Sequence, residues 1–381
     1  MVGMRDVAKK AGVSVSTVSL VVNGTGYVSA EMRDRVELAM HELNYVPNEL
    51  ARNLYSGRTY LIGVIVPTIR HPFFSTMTAA IQRALDARGL RTMLCSTVDV
   101  ATGEAEYVNM MQRHMMDGIV MGAHTTHAPD YWTSIGRPIV AFDRFLGDGI
   151  PSVASDHAQG GRLVADLLLR TGARHVVSVG GPRFQFHDFV DWATSRRGSA
   201  TTFPTIRYHL TLEKELTAAG VCHEYIEAGE VHDFRGYAEA MHHVCERVAA
   251  GEIDAVVSSD VGAAFCLQEA FRRGIRVPED LQIVAYDGTY LANASAMRLT
   301  MAKQDFSAIA DLVATRMVES IQREVNGTAV RVRTDRTGGD RRGGMVIDDS
   351  TELSAMNEAM NLLDDLVPVT LIEGETTRKA R

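Results

Sequence analysis

The 381-residue sequence holds only four cysteines, Cys95, Cys222, Cys245 and Cys266, and none stands in a Cys-x-x-Cys pair. That scatter offers neither a zinc clamp nor a disulfide framework, and it suits a compartment with reduced thiols. No apolar run approaches the ~18 residues that a membrane span needs, and no signal-peptide pattern opens the chain. A cytoplasmic protein with no membrane partner is expected. Enzyme motifs are missing too. Gly180-Gly181-Pro182 is not the Gly-x-Gly-x-x-Gly of a dinucleotide site, and no Gly-x-Ser-x-Gly elbow occurs. His124 and His127 stand at i, i+3 without a third ligand at metal spacing, and the adjacent His242 and His243 face different ways on a helix. No enzyme, cofactor or metal is expected.

A strong positive charge is absent as well, with a net charge of −8. Division of the chain changes that picture. Residues 1–58 hold seven Lys/Arg against six Asp/Glu, a balance of +1, and the remainder holds 32 against 41, a balance of −9. At 46% hydrophobic residues the composition is that of a globular protein, and the length exceeds one ordinary core.

The most informative stretch is Asp6-Val7-Ala8-Lys9-Lys10-Ala11-Gly12-Val13-Ser14-Val15-Ser16-Thr17-Val18-Ser19-Leu20-Val21-Val22-Asn23. It reads as two short helices around one corner. Val7, Ala8 and Ala11 share an apolar face, Gly12 supplies a left-handed stop, and Ser14 can cap the second helix. In that second helix Val15, Val18 and Val22 face inward, which leaves Ser14, Ser16, Thr17 and Ser19 outside. Short hydroxyl side chains suit a helix that enters the major groove and touches phosphates and base edges. A plain helical corner would carry the same pattern. Ser29-Ala30-Glu31 then opens a third helix with Met32, Val36, Ala39, Met40 and Leu43 as its buried stripe. Asn44 closes it, and Pro47 stops its continuation. The segment 47–58 is helix-compatible but too short to be stable alone in water.

These residues carry a resemblance. Val7-Ala8, Ala11-Gly12-Val13-Ser14, Ser16-Thr17-Val18-Ser19, Asn23-Gly24, Tyr45, Pro47-Asn48, Ala51-Arg52 and Leu54 together resemble the headpiece of the lactose/galactose repressor family. The likeness runs without a gap from about residue 4 to 75. It implies DNA contact by Ser14, Val15, Ser16, Thr17, Ser19 and Asn23. It also implies a hinge helix over 48–56 that folds on operator DNA, with Asn48, Ala51 and Leu54 at the minor groove and Leu54 as a wedge between base pairs. Leu20 departs from the pattern, since Arg is frequent there and reads guanine.

From Tyr60 the texture changes to short apolar runs alternating with helical periods. Strands are expected at 61–66, 92–96, 118–121, 138–142, 174–179, 254–258 and 281–286. The helices between and after them are expected at 73–88, 103–116, 161–170, 210–219, 234–250, 262–273 and 306–324. The whole chain is thus expected to join an N-terminal all-α helix-turn-helix headpiece (1–58) to an α/β core of two parallel-sheet lobes (59–381). By resemblance the core is periplasmic-binding-protein-like, with a first lobe of about 60–171 and 303–325 and a second of about 172–302 and 365–373. Two stretches look inserted, 183–205 and 331–364. The first is expected as a surface excursion, with a lid over the cleft as the alternative. In the second, 331–344 reads as mobile and 350–366 as an amphipathic helix with Leu353, Met356, Met360, Leu363 and Leu366 on one stripe. A last strand is expected at 367–372.

Ligands in open α/β folds sit beyond the carboxyl ends of the strands. Phe73 follows the first such strand, and the resemblance implies that Arg144, Asp156, Asp260 and Asp287, at the ends of others, lie near the effector, joined by Tyr208, which stands where the family carries an Arg. Val231, Ser259 and the Asp287-Gly288 pair also depart from the family pattern. Carboxylates, an Arg fork and aromatic faces suit sugar hydroxyls and a sugar ring's apolar side. Capping of the next helix would equally explain Asp156, Asp260 and Asp287. The resemblance implies a homodimeric, or higher, transcriptional repressor that reads a pseudo-palindromic operator and is released by a small molecule, a mono- or disaccharide. A co-repressor-dependent regulator is the alternative within that class. Outside it stands a binding protein with no role on DNA.

Overall fold

The computed structural model describes residues 2–47, 57–99, 103–189, 203, 205–336 and 365–379. They form two compact units, Met1–Thr59 and Tyr60–Arg381.

In the first unit, α1 (Met4–Ala11) ends where Gly12 takes φ +65°. The Ser14 side chain accepts from the Thr17 N–H at 3.0 Å and so starts α2 (Val15–Asn23). Ser29 caps α3 (Ala30–Glu42) in the same way, and Asn44, at φ +46°, turns the chain out of it. Val7, Ala8, Ala11, Val18, Val21, Val36 and Ala39 make the core. Two expectations fail here. Val15 is 43% exposed and Met32 is 36% exposed. Both lie in the first turn of their helices, where side chains lean N-terminally past the packed stretch. Val21 takes an inward place instead. The expected hinge helix at 48–56, with Asn48, Ala51 and Leu54, lies outside the described residues.

The second unit holds two sheets. β1 (Leu61–Val66) is an all-apolar run buried along nearly its whole length, as a strand covered on both faces must be. The chain continues through α4 (Pro72–Asp86), β2 (Arg91–Ser96), α5 (Gly103–Gln112), β3 (Gly118–Met121), α6 (Pro129–Ser134), β4 (Ile139–Phe142) and β5 (Ser152–Ser155). It then enters α7 (His157–Arg170), β6 (His175–Gly180), a 3-10 turn (Arg183–Phe189), α8 (Ile206–Ala218), β7 (Cys222–Glu227), α9 (Phe234–Ala249), β8 (Ala255–Ser259), α10 (Asp260–Arg273), β9 (Gln282–Asp287), α11 (Tyr290–Ala294) and β10 (Thr300–Lys303). After α12 (Phe306–Arg336) come β11 (Asp365–Val367) and β12 (Thr370–Ile372). The first six-stranded sheet runs β11-β5-β4-β3-β1-β2 and is parallel throughout. The second runs β12-β10-β9-β8-β6-β7, with only β12 antiparallel.

The lobe boundaries differ from the sequence reading. Val164, Leu167 and Leu168 of α7 pack with Leu212, Val257 and Val284, so the first lobe ends at Ser155 and not near 171. Lys303 belongs to the second sheet, and the chain returns to the first lobe only with α12, whose Ile309, Val313 and Met317 join the first core. The expected single strand at 367–372 is two strands in different sheets, because Pro368 has no N–H to continue a ladder. Leu366 accordingly lies on β11 and not on a helix, and residues 331–336 extend α12 where a mobile segment was expected. Leu353, Met356, Met360 and Leu363 fall outside the described residues. β5 was implied only by its end at Ser155, and β7 and β10 were not expected, being short or half polar.

The three crossings between lobes lie side by side and are tied together. The Asp156 N–H donates to the Val367 carbonyl at 2.8 Å, the Val369 N–H donates to Gln159 Oε1 at 2.8 Å, and Ser155 Oγ donates to Gln304 Oε1 at 2.7 Å. No helix among the described residues is long and apolar enough to cross a membrane. Cys95, Cys245 and Cys266 are buried free thiols, and Cys222 is an exposed one.

Candidate functional site

On the headpiece, α2 presents a face of small side chains. Ser14, Val15 and Ser16 are exposed, and Thr17, Ser19 and Asn23 are half-buried. Ser14 Oγ and Thr17 Oγ1 lie 2.9 Å apart, and Asn23 Nδ2 donates to Ser19 Oγ at 3.1 Å. These bonds hold the polar rotamers in place before any partner arrives. Leu20, where a longer cationic side chain was the family expectation, is 37% exposed and packs on Gly26.

Between the lobes of the second unit lies a cavity of about 320 Å³. The first lobe contributes Pro67, His71, Phe73, Phe74, His124, Asp143 and Arg144. From the second come Phe184, Gln185, Phe186, Phe203, His209, Tyr225, Val231, Tyr237, Ser258, Ser259, Tyr286 and Asp287, with Gln304 at a crossing. Of the expected ligand residues, Phe73, Arg144 and Asp287 are brought together here. Phe73 is fixed in an aromatic cluster with Phe74, Phe142 and Phe306, ring centroids 5.1–6.0 Å apart.

The others stand elsewhere. Asp156 caps α7 by accepting from the Gln159 N–H at 2.8 Å. Asp260 is buried and accepts from the Gly288 and Thr289 N–H groups, while Ser259 caps its helix. Tyr208 is fully buried against Tyr286, ring centroids 4.1 Å apart, because α8 turns it into the second core and turns its neighbour His209 to the cavity. The first insertion is not a surface excursion over its described part. Phe184, Gln185, Phe186, Phe203 and Thr205 line the cavity, and the Arg183 guanidinium lies 4.7 Å from the Tyr225 ring centre.

Burial shapes the chemistry of the wall. It pulls His71 down to about 4, so the ring is neutral near pH 7. With His71 Nδ1 accepting from the Phe73 N–H at 3.3 Å, the ring proton sits on Nε2 as a donor. Burial, helped by His223, His157 and Arg183, pulls His209 to about 3, and its Nδ1 has no hydrogen-bond partner among the described residues. Asp287, at φ +110°, accepts from Gln304 Nε2 at 2.9 Å. Burial, with Asp260 and Asp143 adding repulsion, pushes its carboxyl far above the usual range, favouring an acid that can donate as well as accept. Arg144 is buried, and its Nε has no partner among the described residues. The cavity therefore combines one charged fork, neutral polar groups of both hydrogen-bonding senses and broad aromatic faces. That mixture suits a polyhydroxylated ligand with an apolar ring face. His71, His209, Tyr225, Tyr237 and Gln304 escaped the sequence reading. Only His71, next to Pro72-Phe73-Phe74, stood beside a motif that could have drawn attention to it.

Elsewhere, His175, Cys222 and Glu224 lie close enough to share a cation. Glu224, however, already accepts from Arg247 Nη1 and Nη2 at 2.8 and 2.9 Å, so its charge is matched within the protein.

Asp260 yields a test of its structural role. Burial pushes its carboxyl from 3.8 up to about 6. A raised acid stabilises the fold fully below its unfolded value and loses that contribution as pH rises through the folded one. Relative to Asp260→Asn, the wild type is expected to lose about 2 kcal/mol of stability between pH 4 and pH 7. Urea melts of both proteins across that range check it, and parallel stability curves would return Asp260 to an ordinary surface-like carboxylate.

Comparison with known proteins agrees with this geometry. The family described as bacterial regulatory proteins, lacI family, matches residues 3–48. Periplasmic binding proteins and sugar binding domain of LacI family match residues 59–186, and a periplasmic binding protein-like domain matches 165–337. The sucrose operon repressor of Pediococcus pentosaceus is 33% identical over 84% of this chain and 92% of its own length. The ribose operon repressor of Halalkalibacterium halodurans is 30% identical over 84% and 91%. Among solved structures, the lac repressor dimer bound to operator and the anti-inducer ONPF aligns with a TM-score of 0.72 at 22% identity, covering 99% of both chains. A capped helix-turn-helix unit, a two-lobed core with a cavity at its strand ends and matches across both parts lead to one conclusion: this chain belongs to the LacI family and is a DNA-binding transcriptional repressor, not an enzyme.

Proposed function

We propose that the protein works as a homodimer on a pseudo-palindromic operator and is released from it by a mono- or disaccharide bound between the lobes of the core. The observation that carries the ligand reading is Arg144, a buried guanidinium on the cavity wall with Nε unpaired. Hydrogen bonds from a charged donor to ligand hydroxyls contribute ~1.5–3 kcal/mol each. Phe73 and the Tyr225 and Tyr286 rings supply apolar faces for the sugar ring, and Asp287 a directional polar contact.

On the DNA side the reading assigns groove contact to Ser14, Val15, Ser16, Thr17, Ser19 and Asn23, and minor-groove contact to Asn48, Ala51 and Leu54. A single headpiece of balance +1 attracts phosphates weakly, so two joined headpieces are needed for tight specific binding. Ligand and operator then oppose each other by linkage. A coupling of ~3 kcal/mol changes operator affinity by roughly 150-fold. The names of the relatives support a sugar as effector.

The test is fluorescence anisotropy of the full-length protein on DNA from upstream of its own gene, at fixed salt, with and without a panel of mono- and disaccharides. Saturable binding to a palindromic fragment, reversed by one sugar, is the expected result. Binding that a sugar tightens would make the protein a co-repressor-dependent regulator. Indifference to the whole panel would remove the sugar reading.

A further inference from the structure

Asp143 and Arg144 are neighbours at the carboxyl end of β4, and both are buried. A buried carboxylate beside a buried guanidinium ordinarily closes on it through paired hydrogen bonds. Here it does not. Arg144 Nη1 stands 4.0 Å from Asp143 Oδ2 and donates instead to the Asp143 backbone carbonyl. Arg144 Nε bonds nothing among the described residues.

The Asp143 carboxylate is turned the other way. Its Oδ1 lies 2.7 Å from His157 Nε2, and His157 Nδ1 lies 2.6 Å from the Tyr286 hydroxyl. Both ring nitrogens are occupied, so the buried imidazole cannot rotate without breaking a bond. A carboxylate only accepts, so Nε2 carries a proton and donates to Asp143. Burial would push the Asp143 carboxyl up, but His157, with Arg144 and Arg207, outweighs it and holds the group below the usual range. His157 is the first residue of α7 and belongs to the second lobe, whereas Asp143 belongs to the first.

We propose that His157 is a positioning residue for effector recognition: it draws the Asp143 carboxylate to itself across the lobe boundary and thereby keeps the Arg144 guanidinium open to the ligand. The role rests on reading the cavity as the effector site. Without His157, the carboxylate would satisfy the guanidinium internally, and a ligand would have to displace it first. Because the imidazole comes from the opposite lobe, the availability of Arg144 depends on the arrangement that brings α7 against β4.

The test uses full-length His157→Leu, Asp143→Asn, the double variant and His157→Gln. Asparagine tolerates the left-handed backbone at 143 (φ +51°) as aspartate does. In calorimetric titration with the releasing sugar, His157→Leu is expected to bind roughly 10- to 100-fold more weakly. The double variant is expected to recover to within about threefold of Asp143→Asn alone, because an uncharged amide does not compete strongly for the guanidinium. His157→Gln, which keeps a donor for Asp143, is expected to stay near wild type. A double variant as weak as His157→Leu would mean that His157 only supports packing, and would overturn the proposal.

Crystal structures of the wild type and His157→Leu decide the point without any sugar. The Asp143–Arg144 separation is expected to fall from 4.0 Å to hydrogen-bonding distance, about 2.8 Å. An unchanged separation refutes the proposal. A shortened one in a protein that binds no sugar upholds the His157 contact competition and overturns the effector reading instead. His157→Ala serves the same comparison where the leucine variant does not fold.

Discussion

Arg144→Ala is expected to weaken effector binding by roughly a hundredfold or more, leaving a protein that holds its operator and no longer responds to sugar. The size follows from chemistry and burial. Hydrogen bonds to a charged group contribute ~1.5–3 kcal/mol each, and a guanidinium can place two of them on neighbouring hydroxyls. Arg144 lines the cavity, and its Nε has no hydrogen-bond partner among the described residues. Arg144→Lys is expected to recover only part of the loss, since a point charge on a flexible stem does not reproduce a planar fork. Isothermal calorimetry on the full-length protein, with anisotropy on operator DNA, measures both sides. Effector affinity within threefold of wild type in Arg144→Ala would take Arg144 out of the binding site and leave the neutral wall of His71, His209 and Asp287 to account for recognition.

The second large effect is expected in the other unit. Val18→Asp should abolish specific operator binding while leaving sugar affinity unchanged. Val18 is completely buried at the centre of a small core made with Val7, Ala8, Ala11, Val21, Val36 and Ala39. An unpaired carboxylate forced into that space costs several kcal/mol. A unit of this size has little stability to lose. The outer face of α2 is untouched by the change, so the loss would come from the helix no longer being held. Serine substitutions at position 18 would be milder for the same reason. If Val18→Asp bound the operator normally, DNA recognition would not depend on the fold of this unit, and the role of α2 would have to be abandoned.

Much of this protein was legible before folding was considered. Gly12, Ser14, Gly24, Ser29 and Asn44 each do locally what their chemistry demands, and the helices begin and end at them. The all-apolar runs at 61–66, 118–121 and 139–142 became strands because runs this short are too brief for a buried helix and fit a strand covered on both faces. Phe73, Arg144 and Asp287 were identified from strand ends together with the family resemblance, and all three line the cavity. Helical phase was less secure. A shift of one residue separates buried Tyr208 from cavity-lining His209, and spacing from a distant glycine could not resolve it. Strand-end aspartates were ambiguous for another reason: Asp156, Asp260 and Asp287 look alike in sequence, yet one caps a helix, one binds loop N–H groups and one faces the cavity.

The sequence by itself determined the parts whose cause is local: a capped helix-turn-helix, a change of texture at Tyr60 and two series of strand and helix. Tertiary structure decided what depends on residues far apart in the chain. It assigned α7 to the second lobe, split 365–372 between two sheets and put part of the first insertion on the cavity wall. It also brought His157 between Asp143 and Tyr286, partners 14 and 129 residues away. Periodicity and capping act over a few residues, whereas the burial and hydrogen bonding that fix a charge's partner arise only once the two lobes have packed.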